Sequence, residues 1–422
     1  MSLKVMLVGG DFRKGCRTTG YVKAVRRLAS ELAEGNEVTV IPFLPQRPQL
    51  MADKGWDGAK VLSRRPSVRV MAGTFLGWPD AWDRIVPYLG MYQDRSFAAR
   101  ARTHLKYSLA YSFNRAFFRS ALRKVMPEVV HVHGVNVQTL PFLDELLSDD
   151  VPFVTTCHGL YSCDRSSFAE ADGTLEEETL RALGRDGSII TAVSKRLADE
   201  LQGHFQIPID ALRVVHNGVD PMNIAQDRSL LRRKHGIPYD RSVVLTVGTV
   251  GRRKNQRAVL EALQVMTPEE RGRFIFLVVG GGDTDELRKE ASSMGLDGCV
   301  TVKGKISDDV LGEMYALSDV LSLTSTSEGF ALVTLEALSA GLPIVTYAGL
   351  QGVDELGTTY GIVTVTSREP SALARVLLET SGRSWDREAI RKGAERFSWE
   401  HACSDYLSIY REAMRRSRSS ER

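Results

Sequence analysis

Short, almost continuously apolar runs punctuate the chain at intervals wide enough to hold a helix between them. A first series covers residues 5–8, 38–43, 129–132, 151–155, 189–193 and 213–215, and a second covers 243–247, 274–279, 300–302, 320–323, 344–347 and 362–365. Strands that lack in-out alternation are covered on both faces, as in parallel sheets flanked by helices. The pattern predicts an α/β protein of two doubly wound, Rossmann-like parallel-sheet domains. The boundary is expected within 217–241, where Gly218, Pro221, Gly236 and Pro238 interrupt regular structure. The domains then span 1–217 and 218–398. A last helix at 399–416, with Ala402, Tyr406, Ile409 and Ala413 at helical spacing, is expected to cross back onto the first domain, and residues 415–420 read as a solvated tail.

One further apolar run carries chemistry. In Ser327-Glu328-Gly329-Phe330-Ala331-Leu332-Val333-Thr334-Leu335-Glu336-Ala337-Leu338, a helix is predicted to begin just after Gly329-Phe330 and to end before Gly341-Leu342-Pro343. Glu328 would lie on the loop feeding the helix and Glu336 in its third turn, about 10 Å away at the rise of an α-helix. An acid near a helix N-terminus can serve the dipole alone. Glu336, however, is flanked by Leu335, Ala337 and Leu338, so no broad polar face is available to it and a partner is expected. Two acids with open helix N–H groups between them suit a nucleotide-sugar, with one acid for sugar hydroxyls, one for ribose hydroxyls and the helix end for the diphosphate.

At 422 residues the chain exceeds what one core usually organises, which agrees with two domains. A formal charge of +3 is too small to imply nucleic acid, and no apolar stretch approaches a membrane span. Lys4-Val5-Met6-Leu7-Val8-Gly9-Gly10 reads as a buried strand entering a turn rather than as a signal peptide. Cys16, Cys157, Cys163, Cys299 and Cys403 are scattered without paired spacing, so free thiols in a reducing cytoplasm are expected and no metal is assigned.

Other strand-end loops carry candidate ligand groups. Gly248-Thr249-Val250-Gly251-Arg252-Arg253-Lys254-Asn255 follows the strand at 243–247 and precedes a helix, and its three consecutive cations suit a diphosphate. Gly280-Gly281-Gly282-Asp283-Thr284-Asp285 imitates a metal-holding Asp-x-Asp, but a helix cap by Asp283 or Asp285 explains it without a ligand. Its glycines would still allow close approach of a nucleotide. Thr156-Cys157-His158-Gly159 places His158 at a C-terminal strand end, aimed at a cleft, whereas His131, His133 and His216 read as ordinary structural histidines. Thr18-Thr19-Gly20-Tyr21 opens the first helix, either facing phosphate or as a plain N-cap.

Taken in order, these stretches resemble the retaining glycosyltransferases of family 4 (glycosyl transferases group 1), which have the GT-B architecture. Also matching are Ala192-Val193-Ser194-Lys195, His216-Asn217-Gly218-Val219-Asp220 and Gly352-Val353-Asp354-Glu355. The resemblance implies sugar transfer from a nucleoside-diphosphate sugar with retention of anomeric configuration, without a metal or further cofactor, in a cleft between the domains. Within it, Glu328 would contact donor-sugar hydroxyls, Glu336 the ribose, Lys254 and Arg253 the diphosphate, and His158 the sugar near its anomeric carbon. Gly329, Phe330 and Ala331 would line the sugar and phosphate, with Thr19, Gly20, Gly248 and Gly280 at the phosphate loops, and the base would lie by Lys305 and Ile306. This chain has Gly248-Thr249 where the family usually has Gly-Arg, so Arg252 or Arg253 would replace that cation.

The acceptor is expected to be a glycan, a lipid-linked glycan or a small hydroxyl compound. Residues 95–124 carry eight cations, no acid and interleaved aromatics. They read either as a domain helix with solvated arginines or as a peripheral contact with an anionic bilayer at the inner face of the membrane. Competing functions are another GT-B enzyme, namely a nucleotide-sugar epimerase or a glycan phosphorylase, and a catalytically silent glycan-binding relative.

Overall fold

The computed structural model describes residues 2–10, 20–42, 58–62, 67–85, 97–160, 170–222, 227–350, 352–356 and 360–420. Its internal contacts divide the chain into two compact units, Met1–His216 with Trp399–Arg422, and Asn217–Ser398. The first unit runs β1 (Lys4–Val8), α1 (Gly20–Ala33), β2 (Glu37–Ile41), β3 (Lys60–Val61), α2 (Val68–Leu76), α3 (Trp78–Ile85), α4 (Phe97–Val125), β4 (Val129–His133), α5 (Leu140–Leu146), β5 (Phe153–Cys157), α6 (Glu170–Asp186), β6 (Ile189–Ala192), α7 (Lys195–Phe205) and β7 (Leu212–Val214). The second runs α8 (Arg228–Lys234), β8 (Ser242–Val247), α9 (Arg257–Val265), α10 (Pro268–Gly272), β9 (Phe274–Val279), α11 (Thr284–Ser293), β10 (Val300–Gly304), α12 (Asp308–Leu317), β11 (Val320–Leu323), α13 (Leu332–Ser339), β12 (Ile344–Tyr347), β13 (Ile362–Val365), α14 (Pro370–Gly382) and α15 (Arg387–Ala394), after which α16 (Trp399–Ser420) returns to the first unit.

Each unit holds one parallel sheet, in the order β3-β2-β1-β4-β5-β6-β7 and β10-β9-β8-β11-β12-β13. Pairing registers such as Val5↔Val38, Val5↔Val129 and Val243↔Ile275 set apolar residues beside apolar residues, and β4, β5 and β9 are buried along their whole length. Two Rossmann-like sheets, as the apolar runs predict, therefore form the molecule. The two-residue edge strand β3 escapes a periodicity reading because it is too short to carry one. Strand order reverses between β1 and β4 in one sheet and between β8 and β11 in the other, and ligands of open α/β sheets bind beyond the C-terminal strand ends at such points.

Three local expectations are corrected. Residues 415–420 continue α16 rather than leaving it as a tail, and the helix is anchored where Arg416 Nη2 donates to Asp210 O at 2.7 Å and Ser417 Oγ donates to Asp150 O at 3.2 Å. α16 packs on α1, β4 and β5, and Glu412 pairs with Arg213 on β7 at 2.5 Å. Asp283 stands at the N-cap position of α11 but makes no side-chain cap bond, while Asp285 pairs with Arg288 at 2.6 Å. α13 begins at Leu332, so Glu336 falls in its second turn rather than its third. Within 217–241 the chain forms α8, whose buried Arg232 bonds Leu317 O at 3.2 Å and Asp319 Oδ2 at 2.5 Å.

The basic aromatic stretch becomes α4, with Arg95 outside the described residues. Tyr111, Phe117 and Phe118 are buried, and Arg115 and Arg119 both pair with Glu145, at 2.8 and 2.5 Å. Burial alone would raise the Glu145 carboxyl, but the two guanidiniums hold it below its usual value. Two cations of this stretch are therefore engaged within the fold by one buried carboxylate, while Arg102, Lys106, Arg123 and Lys124 are exposed. Among the described residues, no helix is long and apolar enough to cross a membrane. Cys157, Cys299 and Cys403 are free and buried; Cys16 and Cys163 lie outside the described residues.

Candidate active site

In the second unit, the loops after β8 and β11, the neighbours at the switch point, are laced together by hydrogen bonds. Thr326 N donates to Arg253 O at 2.8 Å, and Thr324 Oγ1 donates to Asn255 O at 2.8 Å. This lacing carries the cations of one loop to the acid of the other. Lys254 Nζ lies 2.6 Å from Glu328 Oε1, and Arg253 Nη1 lies 3.2 Å from Glu328 Oε2 while also donating to Ser327 O at 3.0 Å. Ser325 Oγ donates to Glu328 Oε1 at 2.6 Å. Glu328 is buried, which alone would raise its carboxyl, but Lys254, Arg253 and the hydrogen bonds from Lys254 and Ser325 hold it below the usual range. One buried carboxylate thus fixes two cations, Lys254 mostly covered and Arg253 at the edge of solvent. Arg252 is exposed, so of the two arginines considered as replacements only Arg253 joins this cluster.

The glycines here answer to the protein itself. A Cβ at Gly248 would stand 2.8 Å from Lys254 Cε, so the missing side chain is what lets the lysine stem pass. A Cβ at Gly280 would stand 1.8 Å from Gly248 O, and one at Gly282 would stand 2.3 Å from Val250 O. Gly281 lies under Lys305, whose Cε would be 2.5 Å from an added Cβ. Crossing of the two loops, sealed by Val250 N donating to Gly281 O at 2.7 Å, therefore requires the run of glycines without any ligand. Lys305 is exposed and Ile306 is half-buried at the end of β10.

Ala331 occupies the N-cap position of α13 and supplies no side-chain cap bond, which leaves the first N–H groups of that helix without the usual oxygen partner from the cap. Phe330 beside it is buried against Phe397, with ring centroids 6.1 Å apart, and the close approach of Gly352 to the Phe330 Cα holds the Gly329-Phe330 turn. Further along α13, Glu336 Oε2 accepts a 2.7 Å hydrogen bond from the fully buried Tyr315 hydroxyl. Glu336 thus has the partner its apolar setting demands.

In the first unit, His158 follows β5 and His133 ends β4 beside it, with His158 Nε2 3.0 Å from His133 Nδ1. Tyr21, next to Gly20 at the start of α1, packs edge-on against His158 at 4.9 Å, accepts from Gly10 N–H at 3.1 Å and donates to His133 O at 3.1 Å. The His131 ring lies tilted against His133 with centroids 3.9 Å apart, its Nδ1 bonded to Tyr410 Oη at 2.7 Å and its Nε2 to Thr156 Oγ1 at 2.6 Å. Burial pushes all three imidazoles down, His158 to about 3 and the other two well below the usual value, so the cluster is neutral. Thr19 lies outside the described residues.

Lys254, Arg253 and Glu328 are therefore brought together in one unit, with Glu336, Gly329, Phe330 and Ala331 on or beside α13, while His158 and Gly20 belong to the other unit. Ser325, Tyr315 and His133 were not among the sequence-derived site residues. Ser325 had a local signal, three residues before Glu328; Tyr315 had none, standing twenty-one residues before Glu336.

Residues 18–222 match the model of the family described as Glycosyltransferase Family 4, and residues 227–396 match that described as Glycosyl transferases group 1. The chain is 24% identical over 308 residues to the uncharacterized glycosyltransferase MJ1607 of Methanocaldococcus jannaschii, covering 68% of this chain and 76% of that one. It is 30% identical over 291 residues to the D-inositol 3-phosphate glycosyltransferase of Xylanimonas cellulosilytica, covering 63% and 68%. The match spans 62% of the corresponding Nocardioides enzyme. Among solved structures, Anabaena HepE in complex with UDP superposes with a TM-score of 0.68 at 16% identity, over 97% of this chain and all of that one. That likeness concerns the fold, and it is a GT-B one.

Proposed function

Because the chain belongs to the family-4 glycosyltransferases, we propose that it is a hexosyltransferase that moves a sugar from a nucleoside-diphosphate sugar to a hydroxyl acceptor, with retention of anomeric configuration. The observation that carries this reading is the cluster of half-exposed Arg253 and mostly covered Lys254 around the buried Glu328, at the strand ends beside the uncapped N-terminus of α13. In sugar transfer from such a donor the charge that grows in the transition state is on the departing diphosphate. Groups that stabilise it best are cations and N–H dipoles already in place and shielded from water. Glu328 holds both cations at the strand ends before a ligand arrives, so their turn toward the diphosphate is completed on binding and little reorganisation is left for the reaction itself.

In this reading Lys254 and Arg253 turn toward the diphosphate, Glu328 takes donor-sugar hydroxyls with an oxygen thereby released, and α13 offers its first N–H groups to phosphate. Glu336 accepts from the ribose hydroxyls, the base lies by Lys305 and Ile306, and His158 bonds a substrate hydroxyl. The positive charge on Lys254 and Arg253 stands in the role a metal ion fills elsewhere, so the proposed reaction is metal-independent. Retention follows if the acceptor attacks from the face that the diphosphate leaves, with a phosphate oxygen taking the acceptor proton.

The acceptor we propose is a glycan, a lipid-linked glycan or a small hydroxyl compound, and the protein is proposed to be cytoplasmic. Arg102, Leu105 and Lys106 share one exposed face of α4, which supports a peripheral contact with an anionic bilayer; sedimentation with anionic liposomes at low salt tests it. That HepE has been captured with UDP supports UDP as the first nucleotide to try.

Thermal-shift titration with UDP, GDP, ADP, TDP and CMP tests the donor site, with Lys254→Ala and Glu336→Ala alongside. A nucleotide in large excess over its Kd stabilises by about 2–4 kcal/mol. A shift with one nucleotide that is lost in both variants supports the reading; no shift with any of them overturns it in favour of a silent relative or a phosphorylase.

A further inference from the structure

We infer that His133 is a positioning residue that locks the tautomer of His158, so that His158 meets its substrate as an Nδ1–H hydrogen-bond donor and never as a base. The inference rests on the reading that His158 contacts a substrate hydroxyl.

His133 is a costly residue to bury. Its Nδ1 faces His158 Nε2 at 3.0 Å, while its own Nε2 is sealed from solvent with no hydrogen-bond partner among the described residues. His131, whose ring lies tilted against it, has no nitrogen to offer, because Tyr410 and Thr156 take both. An apolar ring of similar shape would avoid the penalty of that unpaired nitrogen. The polar function of His133 is therefore directed at His158 alone.

Two neutral arrangements satisfy the 3.0 Å contact. If His158 Nε2–H donates to His133 Nδ1, the proton of His133 sits on Nε2 and becomes a buried orphan donor. If His133 Nδ1–H donates to His158 Nε2, the orphan on His133 is only a lone pair. Buried unpaired N–H groups are the rarer and more costly of the two kinds of orphan. The second arrangement therefore wins, and it leaves His158 with its proton on Nδ1 and its basic lone pair already engaged. The depressed basicity of both rings agrees with this, since neither takes up a second proton near neutral pH.

The pair is also held in place. Tyr21 packs against the His158 ring and donates to the carbonyl of His133, while Gly9 gives both room: a Cβ there would lie 2.8 Å from Tyr21 Oη and 2.9 Å from His133 Cβ. A donor fixed in this way can bond a sugar or phosphate oxygen, but it cannot deprotonate an acceptor hydroxyl. The group that takes that proton must then lie elsewhere.

Long-range ¹H–¹⁵N spectra of imidazole-labelled protein without ligand test the assignment, with the His158 signals identified by their loss in His158→Asn. The expected pattern is a pyrrole-like Nδ1 and a pyridine-like Nε2 on His158. It should persist in His133→Asn, whose amide can donate in place of Nδ1–H, and change in His133→Phe. A pyrrole-like Nε2 on His158 of the unaltered protein overturns the inference, as does an unchanged His158 pattern in His133→Phe. In turnover, His133→Phe should lower kcat about tenfold, the worth of one hydrogen bond, and His133→Asn should recover most of it. If His158→Ala leaves both kcat and KM unaltered, the reading of His158 as a substrate contact falls, while the spectra still decide what His133 does.

Discussion

Gly248 has no side chain where Lys254 passes: a Cβ there would come within 2.8 Å of Lys254 Cε, on the path by which the ammonium reaches Glu328. The glycine also holds φ at 142°, a conformation that L side chains rarely adopt. Gly248→Ala is therefore expected to act twice, costing roughly 1–3 kcal/mol of stability through backbone strain and displacing the lysine from its carboxylate. Urea unfolding reads the first effect and nucleotide titration the second; an Ala variant with undisturbed nucleotide affinity would show that the lysine does not depend on this opening.

Glu328 and Lys254 are not equivalent partners. Removing Lys254 leaves Glu328 still facing Arg253 and Ser325, whereas removing Glu328 strands an ammonium that is only 11% exposed. Glu328→Ala is thus expected to destabilise more than Lys254→Ala, by about 3 kcal/mol against a smaller loss. The double variant Lys254→Met with Glu328→Gln should recover stability without recovering turnover. Chemical denaturation of the three proteins, compared with their transfer rates, checks the order.

Tyr315 spends its buried hydroxyl on Glu336. With Tyr315→Phe, the carboxylate loses one donor and with it a preset orientation, at about 1 kcal/mol. Affinity for the preferred nucleoside diphosphate should fall several-fold, while affinity for its 2′,3′-dideoxy counterpart stays the same. Equal weakening of both ligands would mean that the tyrosine supports the helix and not the ribose contact.

His131, His133 and His158 are held neutral by burial, with tyrosines Tyr21, Tyr406 and Tyr410 packed around them. Their folded pKa values lie below the unfolded value of about 6.5, so their contribution to stability is complete above that pH and is lost as pH falls through it. Each histidine that gains a proton only on unfolding adds up to about 1.36 kcal/mol per pH unit. The urea midpoint should therefore drop between pH 7.5 and 5.5, and the drop should be shallower in His133→Phe. An identical slope in that variant would contradict the burial of a neutral His133.

If Lys254 and Arg253 supply the positive charge for the departing diphosphate, transfer should survive excess EDTA, while Lys254→Ala should lose about 2.7–4 kcal/mol of transition-state stabilisation, on the scale of an oxyanion-hole donor. Restoration of activity by added magnesium or manganese after chelation would overturn the metal-independent reading.

Much of the architecture was legible in the chain because burial on two faces writes itself locally. The strands at 274–279, 320–323, 344–347 and 362–365 match β9, β11, β12 and β13 residue for residue; the first three are buried along their whole length, as a parallel strand between helix layers is, while the edge strand β13 is only partly covered. The start of α13 after Gly329-Phe330 was legible for a similar reason, from glycine and an apolar run. Element ends were less so: α16 outlasts its apolar pattern because Arg416 and Ser417 find backbone carbonyls distant in sequence.

The residue types that the chain sets at its strand ends, two acids around a helix start and cations after a glycine turn, follow from sequence alone. Which of them meet, and through what, was decided only by tertiary structure. Lys254 and Glu328 are 74 positions apart, and Tyr315 finds Glu336 from a different helix, so no spacing could announce either pair. The same holds for Gly280, which looks like a ligand loop in sequence and proves to be demanded by Gly248 O. Hydrophobic pattern is a property of neighbours along the chain; hydrogen-bond partnership is a property of neighbours in space, and it exists only once the sheets have packed.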